Sequence, residues 1–103
     1  MIQFKDLKFK DTNFGGISAH HTFDNAWQIS VAAGKMAYST PREDGLDSSQ
    51  YSSFEVAILD SDGEFVTRDI LQIDNLQIDS DVLGWQGKEE INNIMEIIQL
   101  KNQ

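Results

Sequence analysis

Residues 17–33 read ISAHHTFDNAWQISVAA, and the alternation within them decides the fold. Ile17, Ala19, His21 and Phe23 fall on one face of an extended chain, with Ser18, His20 and Thr22 on the other. Asp24-Asn25 offers a tight turn, since both residues tolerate left-handed backbone. Beyond it Trp27, Ile29, Val31 and Ala33 alternate with Gln28, Ser30 and Ala32, the period of a half-buried strand. Two such runs around a short polar break predict a β-hairpin.

Working toward the N-terminus, Asn13-Phe14-Gly15-Gly16 reads as a turn. Ile2, Phe4, Leu7 and Phe9 give residues 2–10 strand character, with an alternation slip that a bulge near Lys5-Asp6 would repair. Toward the C-terminus, Phe54, Val56 and Ile58 mark a further strand over 54–59. Asp60-Ser-Asp-Gly-Glu64 then forms a hairpin tip, and Phe65-Val-Thr-Arg68 is its return strand. Residues 69–78 fit neither period. Asp79-Ser80-Asp81 is placed to cap a short helical turn through Val82 and Leu83 that Gly84 ends. From Lys88 to Leu100 the apolar positions Ile91, Ile94, Met95 and Ile98 recur at helical spacing, and Glu89 and Glu90 sit where a helix dipole favours acids. Ile97 and Leu100 widen that stripe. The fold class predicted is α+β, a mostly antiparallel sheet of four to five strands with one C-terminal helix packed on a face.

Length and composition bound the rest. With 103 residues, 40% of them hydrophobic and 10% aromatic, the chain has material for one core and reads as a single domain, 1–103. Met36–Ser53 stands apart as a long acidic loop holding the only proline, Pro41. The absence of cysteine excludes disulfides, thiolate zinc sites and cysteine nucleophiles, and suits a reducing cytoplasm. No signal-like or membrane-length apolar run occurs.

The formal charge of −9 is concentrated. Between Glu43 and Asp81 eleven acids face one base, Arg68, while the first ten residues are locally basic. A field of this sign disfavours direct contact with nucleic acid and anionic membrane and favours basic partners. Dispersed acids would serve solubility alone.

Candidate chemistry is sparse. His20 and His21 are adjacent on a strand and point to opposite faces, so they cannot share a metal ion. Asp60-x-Asp62-Gly63 has its glycine fourth rather than sixth, and Leu71 stands where an EF-hand needs its bidentate Glu, so turn chemistry explains it. No nucleophile elbow or phosphate loop is present. These observations predict no catalytic residues, no metal and no cofactor. Trp27 is assigned to the core, and Trp85 is expected to staple the helix to the sheet. Tyr38 and Tyr51, bracketing the acidic loop, are the aromatic candidates for partner contact. The candidate partner-binding set is therefore Tyr38, Glu43, Asp44, Asp47, Tyr51, Asp60, Asp62 and Glu64, the loop acids forming a rim with the 60–64 hairpin tip.

Three stretches, Phe23-Asp-Asn-Ala-Trp-Gln-Ile-Ser-Val31, Phe54-Glu-Val-Ala-Ile-Leu-Asp-Ser-Asp-Gly63 and Asp81-Val-Leu-Gly-Trp85, together resemble a group of small acidic orphan proteins of tailed bacteriophages. The resemblance spans about two-thirds of the chain and departs at Met36–Ser53, where similar proteins are shorter and glycine-rich. It implies a phage or prophage origin and carries no catalytic residues. Such an origin leads to the expectation of a non-enzymatic inhibitor in the host cytoplasm. It would bind a basic, nucleic-acid-binding host protein in the manner of an anti-CRISPR or nucleic-acid mimic. The alternatives are an accessory or structural phage protein whose acidity serves solubility, and a small hydrolase or ligand-binding domain, which would need a concave pocket with convergent polar groups.

Overall fold

The computed structural model describes residues 1–13, 15–71 and 82–101. Its sheet has five strands in sequence order: β1 (Lys10–Asp11), β2 (Ile17–Thr22), β3 (Gln28–Ala33), β4 (Phe54–Leu59) and β5 (Leu83–Gln86). All four ladders are antiparallel. Helices are α1 (Thr67–Leu71) and α2 (Lys88–Gln99). The α+β architecture is as expected.

The central hairpin holds its predicted faces. Ile17, Ala19, Phe23, Ile29, Val31 and Ala33 are buried, and β4 adds Phe54, Val56 and Ile58 to the same layer. Helix α2 covers it with Ile91, Ile94, Met95 and Ile98, all buried. Ile97 and Leu100 do not widen the buried stripe; they are exposed, because the helix meets the sheet along one narrow ridge. Trp27 is only half-buried, packed at the margin of the core. The hairpin turn closes through Phe23 N–H to Trp27 O, and its left-handed residue is Ala26, at φ 72°, rather than Asp24 or Asn25. The Asn25 side chain instead reaches across the fold. Its amide donates to the carbonyls of Ile98 and Lys101, tying the turn to the end of α2.

The N-terminal expectation is corrected. Phe4–Asp6 is a turn of 3₁₀ helix, not a bulged strand, and only Lys10–Asp11 pair with β2. The Asp6 carboxylate accepts from Gln3 N–H and closes the turn locally. That turn lets Phe4 and Phe9 both reach Phe54, with ring centroids 5.1 and 5.7 Å away.

The return strand over 65–68 is also corrected. Pairing with β4 shrinks to one bridge, Leu59–Phe65, and α1 begins at Thr67. The exchange satisfies backbone that β5 leaves uncovered, since β5 reaches only Phe54–Val56. Past that point Val66 N–H donates to Ile58 O, and Ile58 N–H donates to the Thr67 hydroxyl. A buried strand edge needs such partners whatever element supplies them. Of the ambiguous stretch, Asp69–Leu71 lie in α1; 72–78 and the proposed cap at 79–81 fall outside the described residues. Leu83 and Gly84 are strand, not a capped helical turn.

Candidate functional site

The eight residues proposed for partner contact do not form one surface. Strand register separates them. Asp44 lies at the Ala33 end of β3, where its carboxylate accepts from Lys35 N–H and packs on Gly15 and Gly34. Gly45 N–H donates to Gly15 O at that same end. The 60–64 tip follows Leu59, which pairs with Gln28 at the opposite end of β3. From Gln28 to Ala33 is about 17 Å of extended chain. The expected continuous rim is thus two acidic clusters at opposite ends of the sheet.

Within them, three carboxylates are engaged in holding backbone. Asp44 latches the loop as described. Asp47 accepts from Ser49 N–H and its hydroxyl, starting a 3₁₀ turn over Ser48–Gln50, and these hydrogen bonds hold its carboxyl below the usual range. Asp60 accepts from Asp62 N–H and Glu64 N–H, the turn chemistry anticipated. Glu43, Asp62 and Glu64 are exposed.

Tyr51 is corrected as a contact residue. It is 2% exposed, packs on Phe54 and donates its hydroxyl to Glu43 O. Burial, with Asp44 and Glu43 nearby, pushes its phenol above the ordinary value of 10.0. A ring in the core cannot meet a partner.

Tyr38 belongs to a different arrangement, which sequence periodicity did not reveal. Between Phe54–Gln86 and Val56–Leu83 the β4–β5 register shifts, so Gly84 and Trp85 together oppose the single residue Glu55. This is a bulge, and bulges re-aim side chains. Trp85 has φ 57°, a left-handed conformation costing about 1–2 kcal/mol for a bulky residue. Simple alternation after Leu83 would send Trp85 toward the core. Instead its indole lies edge-on to Tyr38, centroids 5.2 Å apart, and remains 42% exposed. It therefore does not staple α2 to the sheet.

The surrounding contacts fix this pair. Trp85 N–H donates to Tyr38 O, and Tyr38 N–H reaches the Glu55 carboxylate. A Cβ on Gly84 would stand 2.9 Å from that of Tyr38, so only glycine lets the two segments approach. The Arg42 guanidinium lies 5.1 Å from the centre of the Tyr38 ring, and Met36 nearby in the chain is exposed. Tyr38, Trp85, Arg42 and Glu55 thus form one aromatic and charged cluster on the face of the sheet away from α2. The Gly84-Trp85 pair was the only signal in the sequence, and the register alone makes it legible.

Elsewhere, a groove of about 810 Å³ runs between residues 7–12 and 45–48. Leu7, Phe9, Ile17 and Leu46 line it, with Lys8, Asp11 and Asp47 alongside. Its size is that of a ligand cleft. Asp47 there is held as a carboxylate, the opposite of what a general acid needs. His20 bonds Gln28 and His21 lies edge-on to Phe23, on opposite faces. Among the described residues, no three His, Asp or Glu side chains are grouped to hold a metal, and no helix is long and apolar enough to cross a membrane. No family model, curated protein or solved structure matches the chain.

Proposed function

We infer that this chain is a non-enzymatic binding protein that engages a basic protein through the Tyr38–Trp85 end of its sheet, as a phage-type inhibitor acting in the host cytoplasm. The observation that carries the reading is the bulge that turns Trp85 outward at a conformational cost. Strain of this kind persists where the surrounding structure enforces it, and it gathers at functional sites. Trp, Tyr, Arg and Met are the residue types enriched at binding hot spots and interface cores. The chain's −9 charge supplies steering toward a basic partner. The nucleic-acid-mimic form of the idea is narrowed: with its acids divided between two ends of the sheet, the protein would use them as separate rims around an aromatic anchor rather than as one phosphate-like track.

The test is capture from bacterial cytosol by the full chain, by Trp85→Ala and by Tyr38→Ala, at about 50 and 300 mM salt. A basic protein retained by the wild type at low salt, weakened at high salt and lost with either variant is the expected result. Capture indifferent to both rings and to salt would leave acidity as a solubility device only.

A further inference from the structure

We propose that the free edge of β2 at His20–Thr22 takes the C-terminal tail of a partner protein as an added antiparallel strand, its carboxylate held at Lys10. This edge lies on the β1 side of the sheet and Trp85 lies on β5, so the inference goes beyond the binding reading above and stands apart from it.

The first observation is backbone parity. Phe23 N–H donates to Trp27 O, so Phe23 and, by alternation, His21 and Ala19 give their backbone groups to β3. The far side of β3 agrees. Ile58 gives its N–H and C=O away from β3, so its partner Ile29 turns toward His21. Ser18, His20 and Thr22 therefore point outward. β1 meets Ser18 through Lys10, and its pairing goes no further along β2. Among the described residues nothing takes the N–H or C=O of His20 or Thr22, and both residues are exposed. Exposed edges are ordinarily blunted by fixed charge, proline or a bulge, and His20-His21-Thr22 has none of these. At the opposite edge of the sheet, Trp85 N–H is already given to Tyr38 O.

The second observation is what flanks the edge. A strand pairing antiparallel with Thr22 and His20 runs in line with β1 and meets it end to end. About 7 Å beyond the residue opposite His20, the slot opposite Ser18 is filled by Lys10. The ladder is closed there, so a terminus fits where a through-going strand has to bend away. A chain that ends there sets its carboxylate beside the exposed Lys10, with exposed Lys8 two residues before it. The reverse direction sets the carboxylate beside exposed Asp24, which repels it.

The third is a hollow of about 410 Å³ beside the edge, lined by Met1, Ile2, His21, Phe23 and Gln99 among others. Residues opposite one another in a ladder share a face. The tail residue opposite His21 thus turns toward the hollow, where an apolar side chain of valine or leucine size gains contact. The residue opposite His20 lies on the other face with Lys10 and suits an acid. Main-chain bonds supply affinity in this mode, and the hollow supplies selectivity.

The experiment titrates the isotope-labelled full chain with the peptide acetyl-Ser-Thr-Val-Glu-Gly, whose valine falls opposite His21 and whose carboxylate is free. Its C-terminal amide and a copy N-methylated at the glutamate are titrated beside it. Amide shifts give the dissociation constants, and hydrogen exchange reads the edge. In the free chain the His20 and Thr22 amides should exchange roughly tenfold or more faster than those of Ala19 and His21, and saturating peptide should slow both. The free acid should bind roughly two- to fivefold tighter than the amide, a gap that Lys10→Gln closes. N-methylation removes the donor for His20 O and should weaken binding about fivefold or more, an arm that needs no variant of the chain to fold. Slow His20 and Thr22 exchange in the free chain, equal affinity of acid and amide, or binding indifferent to N-methylation overturns the proposal. Protection of those amides that grows with protein concentration, together with a doubled mass in sedimentation, gives the edge to a second copy and also overturns it. The capture assay with Trp85→Ala and Tyr38→Ala reads the other end of the sheet, so either claim fails without the other.

Discussion

The replacement of a return strand by α1 makes Thr67 a position with a measurable burden. Thr67 and Ile58 are both fully buried, and the hydroxyl accepts Ile58 N–H at 2.9 Å. Thr67→Val keeps the shape and the β-branch but removes the acceptor. Water cannot replace it at a site with no exposure, so the cost is that of a stranded buried donor, about 1–3 kcal/mol. Taking about 2 kcal/mol, thermal unfolding should fall by roughly 8–16 °C in a domain of this size. The urea midpoint should drop while the slope stays constant, since the surface exposed on unfolding is unchanged. Amide exchange gives the local readout: Ile58 should exchange about thirtyfold faster. Thr67→Ser, which keeps the oxygen and loses one methyl, should hold Ile58 protection near the wild-type level. Valine and wild type with the same midpoint and the same Ile58 exchange would show that the hydroxyl does not cap β4.

Other outcomes follow from the same contacts. Ile94→Ala removes a 5% exposed side chain from the α2 ridge and should cost about 2–5 kcal/mol by urea denaturation, whereas Leu100→Ala, on an exposed residue, should stay within about 0.5 kcal/mol. Asp47 has a lowered folded pKa, so its cap contributes above the ordinary value of 3.8 and is lost as pH falls through the lowered value; the midpoint gap between wild type and Asp47→Ala should therefore persist at neutral pH and close only in acid. Tyr51 runs the other way: its raised pKa means stability held below pH 10.0 and lost as pH climbs toward the folded value, so Tyr51→Phe should unfold at higher alkaline pH than wild type. Adding EDTA, zinc or calcium should leave the thermal midpoint unchanged, because only a ligand of the native state moves it.

What the sequence disclosed depended on whether a segment obeyed a single period. β2, β3, β4 and α2 do, and their buried faces follow from Ile17 to Ala33, Phe54 to Ile58 and Ile91 to Ile98 without further information. Segments whose conformation is set by one local hydrogen bond or by a distant partner were not legible. The 3₁₀ turn at Phe4–Asp6 closes on an Asp6 carboxylate, and α1 exists because an uncovered strand edge needed donors and acceptors. Tyr51 sits among serines and acids, a context that suggests exposure, yet its ring joins Phe54 in the core. The candidate site fared similarly. Tyr38 lies in it, but its companion Trp85 was misassigned because a bulge inverts alternation. The acids looked contiguous along the chain, and only the antiparallel register showed them at opposite ends.

The first and last described segments close on one another. Ile2 N–H donates to the Gln99 side chain, which returns a bond to Ile2 O, and Phe4 N–H donates to Asn92. A chain emerging from the ribosome can therefore pair β2, β3 and β4 early while their apolar face still lacks a lid. The 3₁₀ turn must wait for α2, whose Asn92 lies 88 residues further along the chain than Phe4. Until then Ile29, Val31, Phe54 and Ile58 stay open to water and to chaperones. A nascent chain in which residues 88–99 are not yet made therefore shows water an apolar sheet face that only α2 closes.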